Sequence, residues 1–80
     1  MVNKPLYWIP LEQGILPEIE QHIGSMVFIT LEVLSKRTVV LGRFKGRDTN
    51  RNWIFGKPTD NTNYLGKPLA IMPIPEPFIS

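Results

Sequence analysis

The segment KRTVVLGRFKGRDTNRNWIFGK, residues 36–57, is where side-chain types and spacing come closest to a chemistry. Arg43, Lys45, Arg47 and Arg51 alternate there with Phe44, Trp53 and Phe55. Guanidinium and ammonium groups neutralise phosphate, and exposed aromatic faces stack on nucleobases. Arg43, Lys45, Arg47, Arg51 and Trp53 are therefore the candidate ligand-binding set for an anion, either a nucleotide or a nucleic acid. In an extended strand Arg43 and Lys45 share a face, while Arg47 and Arg51 belong to the following loop and would close over a ligand. The competing reading makes Phe44, Trp53 and Phe55 core residues and the cations a solvated rim that discourages edge pairing.

The charge distribution sharpens this pattern. The net charge is only +2. Residues 36–51 nevertheless carry Lys36, Arg37, Arg43, Lys45, Arg47 and Arg51 against Asp48 alone. Residues 1–35 lean the other way, with Lys4 against Glu12, Glu18, Glu20 and Glu32, and the remainder cancels.

Catalysis finds little support. The lone histidine, His22, falls near the end of a short helical pattern, where the helix dipole accounts for it. Glu18 and Glu20 are two residues apart, so on a helix they diverge by about 200° and cannot work as an acid/base pair. The glycines are isolated and form no phosphate-binding loop, and no cluster has metal-ligand spacing. The expectation is a protein that is not an enzyme and has no cofactor.

These side chains must be positioned by a small scaffold. An 80-residue chain is read as a single domain, residues 1–80. At that size only about 60–65% of the unfolded surface is buried, so stability is marginal. Disulfides are excluded by the absence of cysteine, and one histidine does not make a structural zinc site. Self-association is the remaining support, so a homodimer is expected. The N-terminal stretch MVNKPLYWIPLEQG does not read as a signal peptide, and no apolar run is long enough for a membrane helix. The expected setting is the cytoplasm, without membrane contact.

The chain reads as short strands. LYWIPL, residues 6–11, is a first strand limited by Pro10, with Trp8 expected in the core and Tyr7 on the opposite face. LPEIEQHIG, residues 16–24, is the one helix candidate, with an apolar stripe of Ile15, Ile19 and Ile23. MVFITLEVL and TVVLGRFKG, residues 26–34 and 38–46, alternate with period two and predict a hairpin across a short SKR loop. Val27, Ile29, Leu31 and Val33 share one face of its first strand. WIF, residues 53–55, is a fourth strand, GKPTDNTNYLGKP a loop of turn formers, and Leu69–Met72 the last strand. The predicted fold class is α+β and mainly β: a small curved antiparallel sheet or open barrel of about five short strands with one short helix.

The C-terminal segment LAIMPIPEPFIS has prolines at 73, 75 and 77. It reads as a strap along a sheet edge, with Met72, Ile74 and Phe78 inward, in preference to a polyproline ligand for a partner's groove.

WIPL near the start, LPE at Leu16–Glu18 and MPIPEPF near the end belong together as a set. They resemble a family of short proteins of unknown function from phages, prophages and enteric bacteria. Its members open with Trp-Ile-x-Val, continue with Leu-Pro-Glu and close with a segment like His-Trp-Met-Pro-Leu-Pro-Glu-Pro-Pro. Trp8 and Ile9, with Leu11 near the usual valine, Leu16, Pro17, Glu18, Met72, Pro73, Ile74, Pro75, Glu76 and Pro77 fit that pattern, while Ala70-Ile71 replace its His-Trp and Phe78 its last proline. The resemblance implies a small β-rich domain from a mobile element and supplies no activity. The functional expectation is a small non-catalytic binding protein. It takes an anionic ligand through the basic hairpin or acts as an adaptor or counter-defence inhibitor of a host protein through a sheet edge or exposed aromatics.

Overall fold

The computed structural model describes residues 7–12, 14 and 16–74. In chain order the elements are β1 (Ile9–Pro10), α1 (Leu16–Glu20), β2 (Met26–Val33), β3 (Lys36–Arg47), β4 (Trp53–Gly56) and β5 (Lys67–Pro73). The five strands form one antiparallel sheet in the order β1-β5-β2-β3-β4. The expected class is correct: mainly β, unclosed, with a single short helix.

The hairpin of β2 and β3 is the spine. Its register runs from Met26 opposite Arg43 to Val33 opposite Lys36 without interruption. The turn is therefore Leu34-Ser35, tighter than the SKR loop expected. Both turn residues take positive φ, 51° and 66°, the left-handed pair whose twist matches that of the flanking strands.

Period two then selects the core. Val27, Ile29 and Leu31 of β2 are buried, as are Phe44 of β3, Phe55 of β4 and Ile71 of β5. Ile9, Leu11 and Ile19 of α1 complete a single cluster that draws on both edge strands. A sheet whose two edges contribute to one core must curl, and a register shift between Phe44 and Gly46 helps it bend. Gly42 lies on the same face. A Cβ there would stand 2.9 Å from the Gly56 carbonyl oxygen and 3.0 Å from the Tyr64 ring. Its missing side chain is what lets the later loop pack onto β3.

Three expectations about packing are corrected. Trp8 is 36% exposed and Tyr7 58%, so neither is core. Ile9 takes the inward position opposite Ile71, and alternation turns its neighbour Trp8 outward. The helix spans only Leu16–Glu20 and then unwinds through His22 N–H to Ile19 O and Ile23 N–H to Glu20 O, each 3.1 Å. Ile19 is buried, but Ile23 lies beyond the helix and is 41% exposed, while Ile15 is outside the described residues.

The third correction concerns the tail. β5 lies inside the sheet, between β1 and β2, and is not an edge strap. Ile71 is its buried residue; Met72 pairs with Phe28 on the outer face, and Ile74 is 41% exposed. Leu69 O accepts from Leu11 N–H on the β1 side at 3.0 Å, and alternation directs the missing donor of Pro73 to that same side, past the last β1 pair. A proline is tolerated there because no ladder bond is lost. Residues 75–80, including Phe78, lie outside the described residues.

Candidate functional site

The two edges of the curled sheet do not meet, and the gap between them is a cleft of about 610 Å³. Leu11 and Glu12, just past β1, form one wall, with Gly66, Lys67 and Pro68 at the start of β5. Residues 51–54 form the other, and Asn63 and Tyr64 form the floor. Lys67 Nζ lies 3.1 Å from Glu12 Oε1, an exposed pair that fixes the near wall and contributes little to stability.

The loop from β3 to β4 is built around Asp48. Its carboxylate accepts from Asn50 N–H at 2.8 Å and Asn52 N–H at 2.9 Å. Its backbone pairs with Asn52 and Arg51, Asp48 N–H to Asn52 O at 2.9 Å and Arg51 N–H to Asp48 O at 3.0 Å. The closure forces Arg51 into the left-handed region at φ 64°. That conformation costs a side-chain-bearing residue about 1–2 kcal/mol and is the natural place for glycine. Arginine stands there and lines the cleft. Among the described residues it pairs with no carboxylate.

Trp53 stands beside it. Its ring meets Phe44 edge-on at 5.4 Å, and Phe44 stacks on Phe55 at 4.7 Å. The Arg47 guanidinium sits 4.6 Å over the Trp53 ring. This cation–π contact holds the half-buried indole in place at the cleft wall.

The structure divides the five sequence candidates. Arg51 and Trp53 line the cleft, and Arg47 reaches it only through Trp53. Lys45 crosses Gly56 and donates to Asn61 O at 2.6 Å and Asn63 Oδ1 at 2.7 Å, so it anchors the floor from behind. Arg43 points elsewhere on the outer face, where its Nη1 donates to Gly24 O at 2.9 Å and caps the turn after α1. The five do not converge on one ligand.

The residues missed in the sequence are Asn52, Asn63, Tyr64 and Lys67. Tyr64 had a signal: it is the one aromatic in GKPTDNTNYLGKP. Its hydroxyl donates to Leu41 O at 2.7 Å, and Lys57 Nζ lies 6.0 Å from its ring centroid. The same loop is stabilised by Asp60, whose Oδ1 accepts from the Thr62 hydroxyl at 2.7 Å and Thr62 N–H at 3.0 Å. These bonds, the hydroxyl first, hold the Asp60 carboxyl below its ordinary value, with Lys57 adding a smaller pull.

Among the described residues no group of histidine, cysteine, aspartate or glutamate is arranged to hold a metal ion. No helix of the described chain is long and apolar enough to cross a membrane. Fold and cleft together define a small open-sheet domain with an aromatic and cationic groove at its seam. Comparison with protein-family models, with curated proteins and with solved structures found no match to this chain.

Proposed function

We propose that this is a small non-catalytic binding protein whose seam cleft takes a ligand carrying both phosphate and a nucleobase, a nucleotide or a single strand of nucleic acid. The observation that carries the reading is Arg51. A strained arginine, with no carboxylate partner among the described residues, faces the cleft from a position where glycine would fit better, beside an indole covered by a second arginine. A phosphate against Arg51 and a base against Trp53 would use both, with Asn52 and Asn63 as polar contacts. Its terminal motifs support assigning it to the short phage and prophage proteins they resemble, working in the cytoplasm of a host.

A fluorescent oligonucleotide and a panel of nucleotides, titrated at low and raised salt, test the proposal and separate the two ligand sources. Binding that weakens with salt, with a slope reduced by about 1 for Arg51→Ala and weaker binding for Arg47→Ala through the loss of its support of Trp53, supports it. Absence of binding by every probe at low salt overturns it.

A second reading, an adaptor or inhibitor of a host protein, has its own observation. Phe28 lies between Met72 and Leu41 on the outer face, in line with the exposed Trp8, and no described element covers this row. A protein captured by wild type and by the Arg47→Ala, Arg51→Ala double variant alike, and lost on Phe28→Asp with the fold retained, would favour it over the cleft.

A further inference from the structure

We infer that the free edge of β3, Arg37–Leu41, is a self-association surface, where two copies of the chain pair antiparallel across a two-fold axis at Val39 and continue one sheet into the other. On β3, β4 pairs with Arg43–Arg47 alone. The half of β3 from Lys36 to Gly42 has β2 on one side and, among the described residues, no strand on the other.

The backbone directions follow from hydrogen bonds already made. Phe44 N–H donates to Ser25 O at 2.9 Å, and Phe44 O accepts from Gly24 N–H at 2.7 Å, so the even-numbered residues of β3 bond toward β2. The hairpin has no register shift, so the amides and carbonyls of Arg37, Val39 and Leu41 point away from it. Leu41 O, which accepts from the Tyr64 hydroxyl, confirms that direction and marks where the open edge ends.

Other strands of this sheet have their edges blunted. β1 ends on Pro10, β5 contains Pro68 and Pro73, and β4 runs into Lys57-Pro58 opposite a bulged stretch of β3. Each device removes a donor or bends the strand away from a newcomer. Arg37–Leu41, RTVVL, has no proline, no glycine and no bulge, and its middle three residues are β-branched. An unblunted edge of that composition is a template for another strand.

A second copy fits the template. Centred on Val39, the segment pairs with itself: Val39 with its own counterpart, Thr38 with Val40 and Arg37 with Leu41; just beyond it Lys36 faces Gly42. No cation opposes a cation, although Lys36, Arg37 and Arg43 all lie along the strand. Moving the axis to Val40 sets Arg37 against Arg43. The exposed Val39, at 57%, comes to lie beside its counterpart, while Leu41, at 36%, falls opposite Arg37 and diagonal to Val39 of the second copy, so the outer apolar row continues across the axis. Five paired residues per copy bury less than the about 1,200–2,000 Å² of a standard interface, so the dimer is a weak one.

Two measurements on the full chain test this. Backbone amide exchange over a concentration series reads the pairing directly: the amides of Arg37 and Val39 exchange freely in dilute solution and become protected as concentration rises, while those of Thr38 and Val40 are protected throughout. Sedimentation velocity then reads partner choice. Val39→Lys and Val39→Glu each weaken self-association by at least about tenfold, and their equimolar mixture restores it. Val39 is exposed and lies outside the cleft, so melting curves should confirm that both variants fold. A chain that stays monomeric at every concentration overturns the inference, as does self-association that neither variant weakens or that mixing does not restore. Concentration-independent exchange at Arg37 and Val39 does so without reference to any variant.

Discussion

At the scale of single residues, Arg51 and Gly42 carry opposite lessons about backbone and side chain. Arg51 occupies a left-handed position that its side chain makes costly, so Arg51→Gly should stabilise the domain by about 1 kcal/mol while removing a cleft cation. Denaturant titration checks the first effect. Gly42 has ordinary backbone freedom to give up but no room, because a Cβ there would stand well inside van der Waals contact with the Gly56 carbonyl and the Tyr64 ring. Gly42→Ala should destabilise by about 1–3 kcal/mol and loosen Tyr64 from Leu41 O, seen as a lowered melting temperature and altered tyrosine fluorescence. Arg51 and Trp53 were legible as a pair in the sequence because charge and aromatic rings interleave there. Where Arg43 and Lys45 reach was not legible: it depends on the carbonyls of Gly24 and Asn61, which are distant in sequence.

Two short connections decide stability at the scale of elements. The Leu34-Ser35 turn holds two side-chain-bearing residues at positive φ, and Leu34 is 92% exposed. Replacing the pair by Asn-Gly should stabilise the hairpin by about 1 kcal/mol or more, measured by denaturant midpoint with the slope unchanged. In the loop from β4 to β5, Asp60 is depressed by the Thr62 hydroxyl and amide. Its folded value lies below its unfolded one, so its contribution is complete above the ordinary value of 3.8 and disappears as pH falls through the lower folded value. Asp60→Asn should therefore flatten the acid limb of a stability-against-pH curve below that point and leave its neutral shape unchanged. The hairpin was readable because alternation from Met26 to Glu32 puts Val27, Ile29 and Leu31 on one face. The helix boundary was not, since a five-residue segment is held by Ile19 in the core more than by its own propensity. Trp8 was misplaced for a related reason: a two-residue strand gives alternation no internal check on which side is inward.

Strand order at the scale of the whole molecule is what turns a set of short elements into a site. The prolines of the closing segment suggested an edge, yet β5 inserts between β1 and β2 and leaves β1 and β4 as the edges. That placement opens the cleft at the seam and brings Lys67 across from Arg51 and Trp53. Period and composition reveal strands but not which non-neighbouring strands pair, so the seam was invisible in the sequence, as were Asn63 and Tyr64 on its floor. The same order leaves half of β3 unpaired, so the cleft and the open edge are separate consequences of one topology. The most direct test of the cleft is fluorescence anisotropy of a labelled oligonucleotide against wild type and Arg51→Gly across a salt series. Wild type should bind in a salt-sensitive way, and Arg51→Gly should bind more weakly with a shallower salt slope even though that variant is the more stable protein. Equal affinity and equal slope for the two proteins would contradict the cleft assignment.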